Sequence, residues 1–176
     1  MADAIRLLRD GGRRGDQVSR IRAVHSRLDE VQACYLRAFL SKLTHWNTAR
    51  ARIAARYDSL LSGCDGARPL ARRAGSVCHL YVIRTKHREK LREFLRERGI
   101  ATGVHYPVPL HLQECFVNLG YKSGDLPESE RAAREVLALP IYPELTQEQI
   151  KFVGRTIVDW CARQGTTTEG DSVLRV

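Results

Sequence analysis

The stretch GVHYPVPLHLQ, residues 103–113, carries two imidazoles and a phenol in a segment stiffened by Pro107 and Pro109. His105, Tyr106 and His111 are side chains that hydrogen-bond a sugar or a phosphate and stack on a ring, and rigid loops commonly display such groups. A satisfied surface histidine accounts for either imidazole taken alone. Zinc is the competing chemistry, but the His105–His111 spacing, broken by two prolines, matches no zinc template, so no metal ligands are expected. A second stretch, HSRLDE at residues 25–30, sets Arg27 at the mouth of an expected helix, where the macrodipole prefers acids. Either Asp29 and Glu30 compensate by pairing with Arg27, or Ser26, Arg27 and the first helical amides form an anion site. No serine–histidine–acid set and no glycine-rich phosphate loop is recognisable.

The elements that must position these groups can be read from periodicity. Residues 2–9 have a short helical pattern stopped by Gly11 and Gly12. Ser26 is a good N-cap for a second, longer helical pattern. Apolar residues at Leu28, Val31, Tyr35, Phe39, Leu43, Trp46, Ile53, Tyr57 and Leu60 keep to one face, and Gly63 offers a left-handed stop. Unbroken, this helix has about 36 residues and a length of about 54 Å, enough to bridge two bodies. Two shorter helices bending near Thr44 to Asn47 are the alternative. Downstream, SVCHLYVIRT reads as a strand, KHREKLREFLRERG as an amphipathic helix and IATGVHY as a second strand. PESERAAREVLALP reads as a helix with Pro127 in its first turn and Pro140 past its end. TQEQIKFVGRTIVDWCARQ reads as a last helix capped by Thr146, and the polar tail from residue 164 as disordered. The expected fold class is α/β, a small sheet covered by helices.

Bulk properties narrow the function classes. The 176 residues have ordinary globular composition, 43% apolar and 28% charged, and no apolar run reaches membrane-spanning length. The first residues lack the pattern of a secretory signal. Five scattered cysteines, with no C-x-x-C pair, read as reduced thiols of a cytoplasmic protein. The net charge of +9 comes from arginines spread over several helices, without the aromatic-studded basic strand of an RNA-reading sheet, so no nucleic-acid partner is expected.

Several motifs then align with one family. SRLDEVQA, W-N-x-x-R-x-x-I-A-x-x-Y (Trp46 to Tyr57), HLYVIR, RGIATGVHYPVPLHLQ, NLGY and G-D-L-P-x-S-E-x-A-A-R-E-V-L-A-L-P-I-Y-P-E-L-T occur in order. Together they resemble the C-terminal part of the DegT/DnrJ/StrS family, pyridoxal-phosphate-dependent sugar aminotransferases of fold type I. The resemblance implies a homodimeric enzyme moving an amino group from an amino-acid donor, glutamate or glutamine, to a nucleotide-linked keto-sugar. It implies a remnant of the large cofactor domain over residues 1–24, an interdomain and dimer-interface helix over 25–63, a small C-terminal domain over 64–163 and a tail over 164–176. His25, Ser26 and Arg27 match the stretch that reaches the cofactor phosphate of the other subunit, with histidine at 25 where the family usually has asparagine. His105, Tyr106 and His111 match the loop facing the nucleotide sugar.

The family's Schiff-base lysine, the acid paired with the pyridine nitrogen and the stacking aromatic all match positions before IRLLRDGG. Lys42, Lys86, Lys90, Lys122 and Lys151 correspond to none of them, so no catalytic residue is assigned within this chain. The expectation is a truncated product, or half of a split enzyme whose partner carries the cofactor domain, inactive alone. Two alternatives stand beside it: the same part of a pyridoxal-phosphate-dependent sugar dehydratase, or a non-catalytic basic binding or scaffold module.

Overall fold

The computed structural model describes residues 1–13, 16–24 and 26–166. The chain divides into two compact units, Met1–Thr44 and His45–Val176.

In the first unit, helix α1 (Ala2–Arg9) is followed by a loop that folds back on it. The Ser26 amide donates to the Arg9 carbonyl at 2.8 Å, the Gly12 amide to Leu7 at 2.9 Å and the Arg20 amide to Gly12 at 2.9 Å. Gly12 sits at φ +81°, and a Cβ there would stand 2.3 Å from the Ile21 carbonyl oxygen, so only glycine fits. Helix α2 (Glu30–Leu40) starts later than its sequence suggests. Its cap is Asp29, whose carboxylate accepts from the Val31 and Gln32 amides at 2.9 and 3.2 Å, and not Ser26.

The apolar stripe does not make one rod from 25 to 63. Helix α2 ends at Leu40, and α3 runs from Leu43 to Leu60. At the interruption the Ser41 hydroxyl donates to the Ala38 carbonyl at 3.4 Å and the Lys42 amide to Phe39 at 2.9 Å, a tighter turn than the α-helical ladder. The break comes slightly earlier than the bend considered at Thr44 to Asn47. Gly63, at φ +81°, lies three residues beyond the end of α3.

The second unit holds a three-stranded antiparallel sheet in the order β1 (Arg68–Pro69), β2 (Tyr81–Arg84), β3 (Val136–Leu139). Tyr81 faces Leu139 and Ile83 faces Leu137 across the β2–β3 pair. Helices α3, α4 (Arg88–Arg96) and α6 (Gln147–Thr166) supply the rest of the core: Ile53, Tyr57, Leu91, Leu95, Ile150, Ile157 and Trp160. Leu91 and Leu95 are fully buried at i, i+4 spacing, as an amphipathic helix requires. Thr146 caps α6 reciprocally: its hydroxyl accepts from the Gln149 amide at 3.3 Å while Gln149 accepts from the Thr146 amide at 2.9 Å.

Further sequence expectations are corrected by the structure. Residues 100–106 form no strand; Gly103 makes an isolated bridge to Ala138. The helix α5 (Pro127–Glu135) stops before Val136, and the VLAL segment is strand β3, buried at all four positions. A run buried on both faces has no period by which a strand differs from a helix. The cysteines are not all reduced: Cys64, beyond α3, and Cys161, on α6, form a disulfide, leaving Cys34, Cys78 and Cys115 free. A pairing across 97 residues comes from the tertiary fold and leaves no spacing signature. Helix α6 continues through residues 164–166, placed in the tail by sequence; residues 167–176 lie outside the described residues.

Candidate functional site

The second unit contains a cavity of about 910 Å³ bounded by the 105–113 loop, the 3₁₀ turn Glu114–Leu119, the 120–126 turn and α5. His105, Tyr106 and His111 all line it. On its strand side the loop is anchored by paired bonds between Gly103 and Ala138, N to O at 3.0 Å and 2.8 Å, which tie the loop's start to β3. Pro107 and Pro109 restrict the backbone beyond that anchor. The His105 and Tyr106 rings meet edge to face at 5.7 Å, and Tyr106 is 73% exposed, an open stacking surface. Val108, Leu110, Phe116 and Leu126 give the walls an apolar character. No arginine or lysine is among the lining residues.

His111 differs from the other two. It is buried, and its Nε2 lies 3.1 Å from Glu130 Oε1 on α5. Glu130 is itself buried and accepts from the Gly124 amide at 2.7 Å and the Ser123 hydroxyl at 3.3 Å. These groups hold its carboxyl below the usual glutamate range, the Gly124 amide foremost, with burial opposing and the bonds from His111 and Ser123 assisting. The ionised acid accepts only, so the His111 Nε2 carries the proton between them. Tyr121 meets the His111 ring edge-on at 6.1 Å.

Sequence reasoning singled out three loop residues that line this cavity and did not single out Glu130. An acid in the first turn of a helix already has a local explanation in the macrodipole. The signal available was its place in the P-x-S-E motif, downstream of the loop.

In the first unit, Ser26 and Arg27 precede α2. Arg27 does not pair with Asp29 or Glu30; its Nε lies 3.5 Å from Asp10 Oδ1. Because the helix starts at Glu30, Arg27 stands outside the first turn and escapes the macrodipole conflict. It borders a basin of about 520 Å³ with Arg6, Arg9, Arg13, Asp3 and Asp10, where the cations outnumber the acids. Such a basin suits a phosphate. His25 lies outside the described residues.

The cofactor implied by sequence can be tested against these residues. A carbonyl cofactor needs a lysine held neutral in a closed site. Lys42, Lys86, Lys90, Lys122 and Lys151 are all exposed, and none borders the arginine basin. The described residues fit the phosphate end of pyridoxal phosphate and not its reactive end. Among the described residues no group of three or more histidine, cysteine or acidic side chains is gathered for a metal, and no helix is long and apolar enough to cross a membrane.

Aminotransferases of solved structure share this fold. DesV of S. venezuelae, in complex with a ketimine intermediate, superposes with a TM-score of 0.87 at 39% identity, over 91% of this chain and 44% of that one. An aminotransferase from Brucella abortus superposes with a TM-score of 0.81 at 32% identity, over 90% and 43%.

The chain belongs to the DegT/DnrJ/EryC1/StrS aminotransferase family, whose model matches residues 1–158. It is 40% identical over 165 residues to a dTDP-3-amino-3,4,6-trideoxy-alpha-D-glucose transaminase of Streptomyces venezuelae, covering 93% of this chain and 44% of that protein. It is also 40% identical over 164 residues to a pleiotropic regulatory protein of Geobacillus stearothermophilus, again covering 44% of that protein. The chain thus spans less than half the length of the relatives it matches.

Proposed function

We propose that this chain is the C-terminal portion of a pyridoxal-phosphate-dependent aminotransferase that moves an amino group from glutamate or glutamine to a nucleotide-linked keto-sugar. The observation that carries the reading is the convergence of His105, Tyr106 and His111 on one cavity. Its role is to bind and orient the sugar nucleotide: the exposed Tyr106 ring offers a stacking face, His105 a hydrogen-bonding edge and the apolar walls exclude water. The relatives' names support a nucleoside-diphosphate sugar as the ligand class.

Cofactor attachment belongs to a polypeptide region supplied by a second chain or a longer one, since no lysine here is placed for it. The arginine basin that Arg27 borders serves the cofactor phosphate, and Ser26 and His25 belong to the same stretch of chain as Arg27. The exposed apolar residues Val31, Tyr35, Leu36 and Leu40 on α2 suit a covered interface in a homodimer or with a cofactor-domain partner.

The experiment is a titration with dTDP-glucose followed by saturation-transfer NMR and calorimetry, on the wild type and on Tyr106→Ala. The reading expects saturable binding, weakened about tenfold by the loss of one stacking face. In parallel, pyridoxal phosphate followed by borohydride should label the exposed lysines weakly and without preference, with no single saturable lysine. Absence of dTDP-glucose binding, or binding indifferent to Tyr106→Ala, refutes the reading.

A further inference from the structure

Of the segments that border the cavity, three are joined by one side chain. The carboxylate of Glu130 takes the His111 imidazole from the 105–113 loop, and the Ser123 hydroxyl and the Gly124 amide from the 120–126 turn. It does so from the first turn of α5, which runs directly into β3 and therefore into the sheet. The loop's other tie to the sheet is the Gly103–Ala138 bridge. Between these two anchors stand His105 and Tyr106, the groups open to a ligand.

We propose that Glu130 is the positioning residue of the sugar-nucleotide cavity, fixing the orientation of His111 and the spacing of the two loops that form its rim. The inference rests on the function proposed above for the cavity, and names what builds it. Two features separate Glu130 from an ordinary helix-turn acid. It is 7% exposed, whereas Glu128 of the same turn is exposed and pairs with Arg131 along the helix surface. And its partners come from outside its own helix, at sequence distances of 6, 7 and 19 residues.

The consequence for His111 is specific. With Nε2–H given to the carboxylate, Nδ1 is the nitrogen left to meet a ligand. Among the described residues no side-chain nitrogen or oxygen is both sealed from solvent and without a partner. The hydrogen bonding found for the ring there runs through Nε2. Nδ1 is therefore not sealed from solvent, on a ring that lines the cavity. A neutral His111 accepts there from a sugar hydroxyl, and a protonated one donates to a phosphate oxygen.

The test uses the whole chain, labelled with ¹⁵N, as wild type, Glu130→Gln and Glu130→Asp, with Ser123→Ala as the mildest variant. The first readout needs no ligand. In the wild type the His111 Nε2–H gives a slowly exchanging ring-proton resonance and the Gly124 amide is protected from hydrogen exchange. Both should be lost in Glu130→Gln, kept at least in part in Glu130→Asp and little changed in Ser123→Ala. Circular dichroism and the Leu95 and Ile157 methyl resonances report whether the core stays folded.

The second readout is dTDP-glucose affinity, expected to fall about tenfold or more in Glu130→Gln, the loss expected for one misplaced charge-assisted contact. Retention of the ring proton and of Gly124 protection in a folded Glu130→Gln overturns the positioning role. So does a wild type that binds dTDP-glucose measurably, but no more tightly than folded Glu130→Gln does. If the wild type binds no dTDP-glucose while both NMR signals still vanish in Glu130→Gln, the sugar-nucleotide reading fails and the loop-holding role survives it.

Discussion

Reducing the Cys64–Cys161 disulfide should destabilise the second unit by about 2–4 kcal/mol, within a chain-entropy bound that the structure sets. The two cysteines are 97 residues apart. Closing a loop of that size in the unfolded chain removes entropy equivalent to about 4.7 kcal/mol at room temperature on the same model. Measured disulfides usually return less than the bound, because the reduced chain retains residual structure. The bond also ties the segment just beyond α3 to α6, two helices that share one core, so the reduced protein loses a constraint between them. Gly66 approaches the same place: a Cβ there would lie 3.2 Å from the Cys161 sulfur and 3.6 Å from Trp160.

The assay is urea unfolding of the wild type with and without a phosphine reductant, which leaves the composition untouched. The midpoint should move down, and the slope should rise as the unfolded chain loses its cross-link and expands. A thermal scan should show a fall on the order of 10 °C. Thiol counting in denaturant gives an independent check: three reactive thiols before reduction, from Cys34, Cys78 and Cys115, and the two from Cys64 and Cys161 in addition afterwards. A full set of thiols in the unreduced, denatured protein refutes the bond, and an unmoved midpoint refutes the loop-closure reasoning.

Gly154→Ala should lower stability by about 1 kcal/mol, because overpacking outweighs the helix-propensity gain. A Cβ at Gly154 would stand 2.7 Å from Leu60 Cδ1 and 3.0 Å from Leu60 Cβ; thermal unfolding checks this, and an unchanged or raised midpoint contradicts it. The contribution of Glu130 should depend on pH with a definite sign. Its folded-state value is depressed below the ordinary glutamate value of 4.5. Its stabilisation is therefore fully present above that value and is lost as pH falls through the depressed folded value. Gly124 amide protection followed from about pH 6 down to about pH 3 should show the loss in the wild type and a flatter course in Glu130→Gln.

What the sequence discloses, and what it withholds, divides along the range of the interaction that decides each element. Helices α4 and α6 were legible because Leu91, Leu95, Ile150, Val153 and Ile157 repeat at helical spacing and Thr146 caps through Gln149, all within a few residues. Strand β3 was not, since its sheet partner Tyr81–Arg84 lies some way upstream and four buried residues in a row have no period. Strand β1, a two-residue piece of an arginine-rich connector, exists only because β2 offers it an edge. At the site the pattern is the same. His105, Tyr106 and His111 share one short loop, which made them joint candidates, and the family resemblance supplied the ligand that loop would face. Glu130 joins them only after α5 has packed against the loop.

Helix α2 is where the two scales meet. An isolated helix of 11 residues is marginal in water, and this one buries none of its residues. The Asp29 cap contributes about 1 kcal/mol and the Tyr35–Phe39 ring pair, 4.6 Å apart at i, i+4, a few tenths more. Neither requires Val31, Leu36 and Leu40 to be apolar. In the second unit, by contrast, the fully buried large residues of α3, α4 and α6 are the ones that face the sheet. Apolar residues from which the helix's own stability gains nothing fit the covered interface proposed for α2.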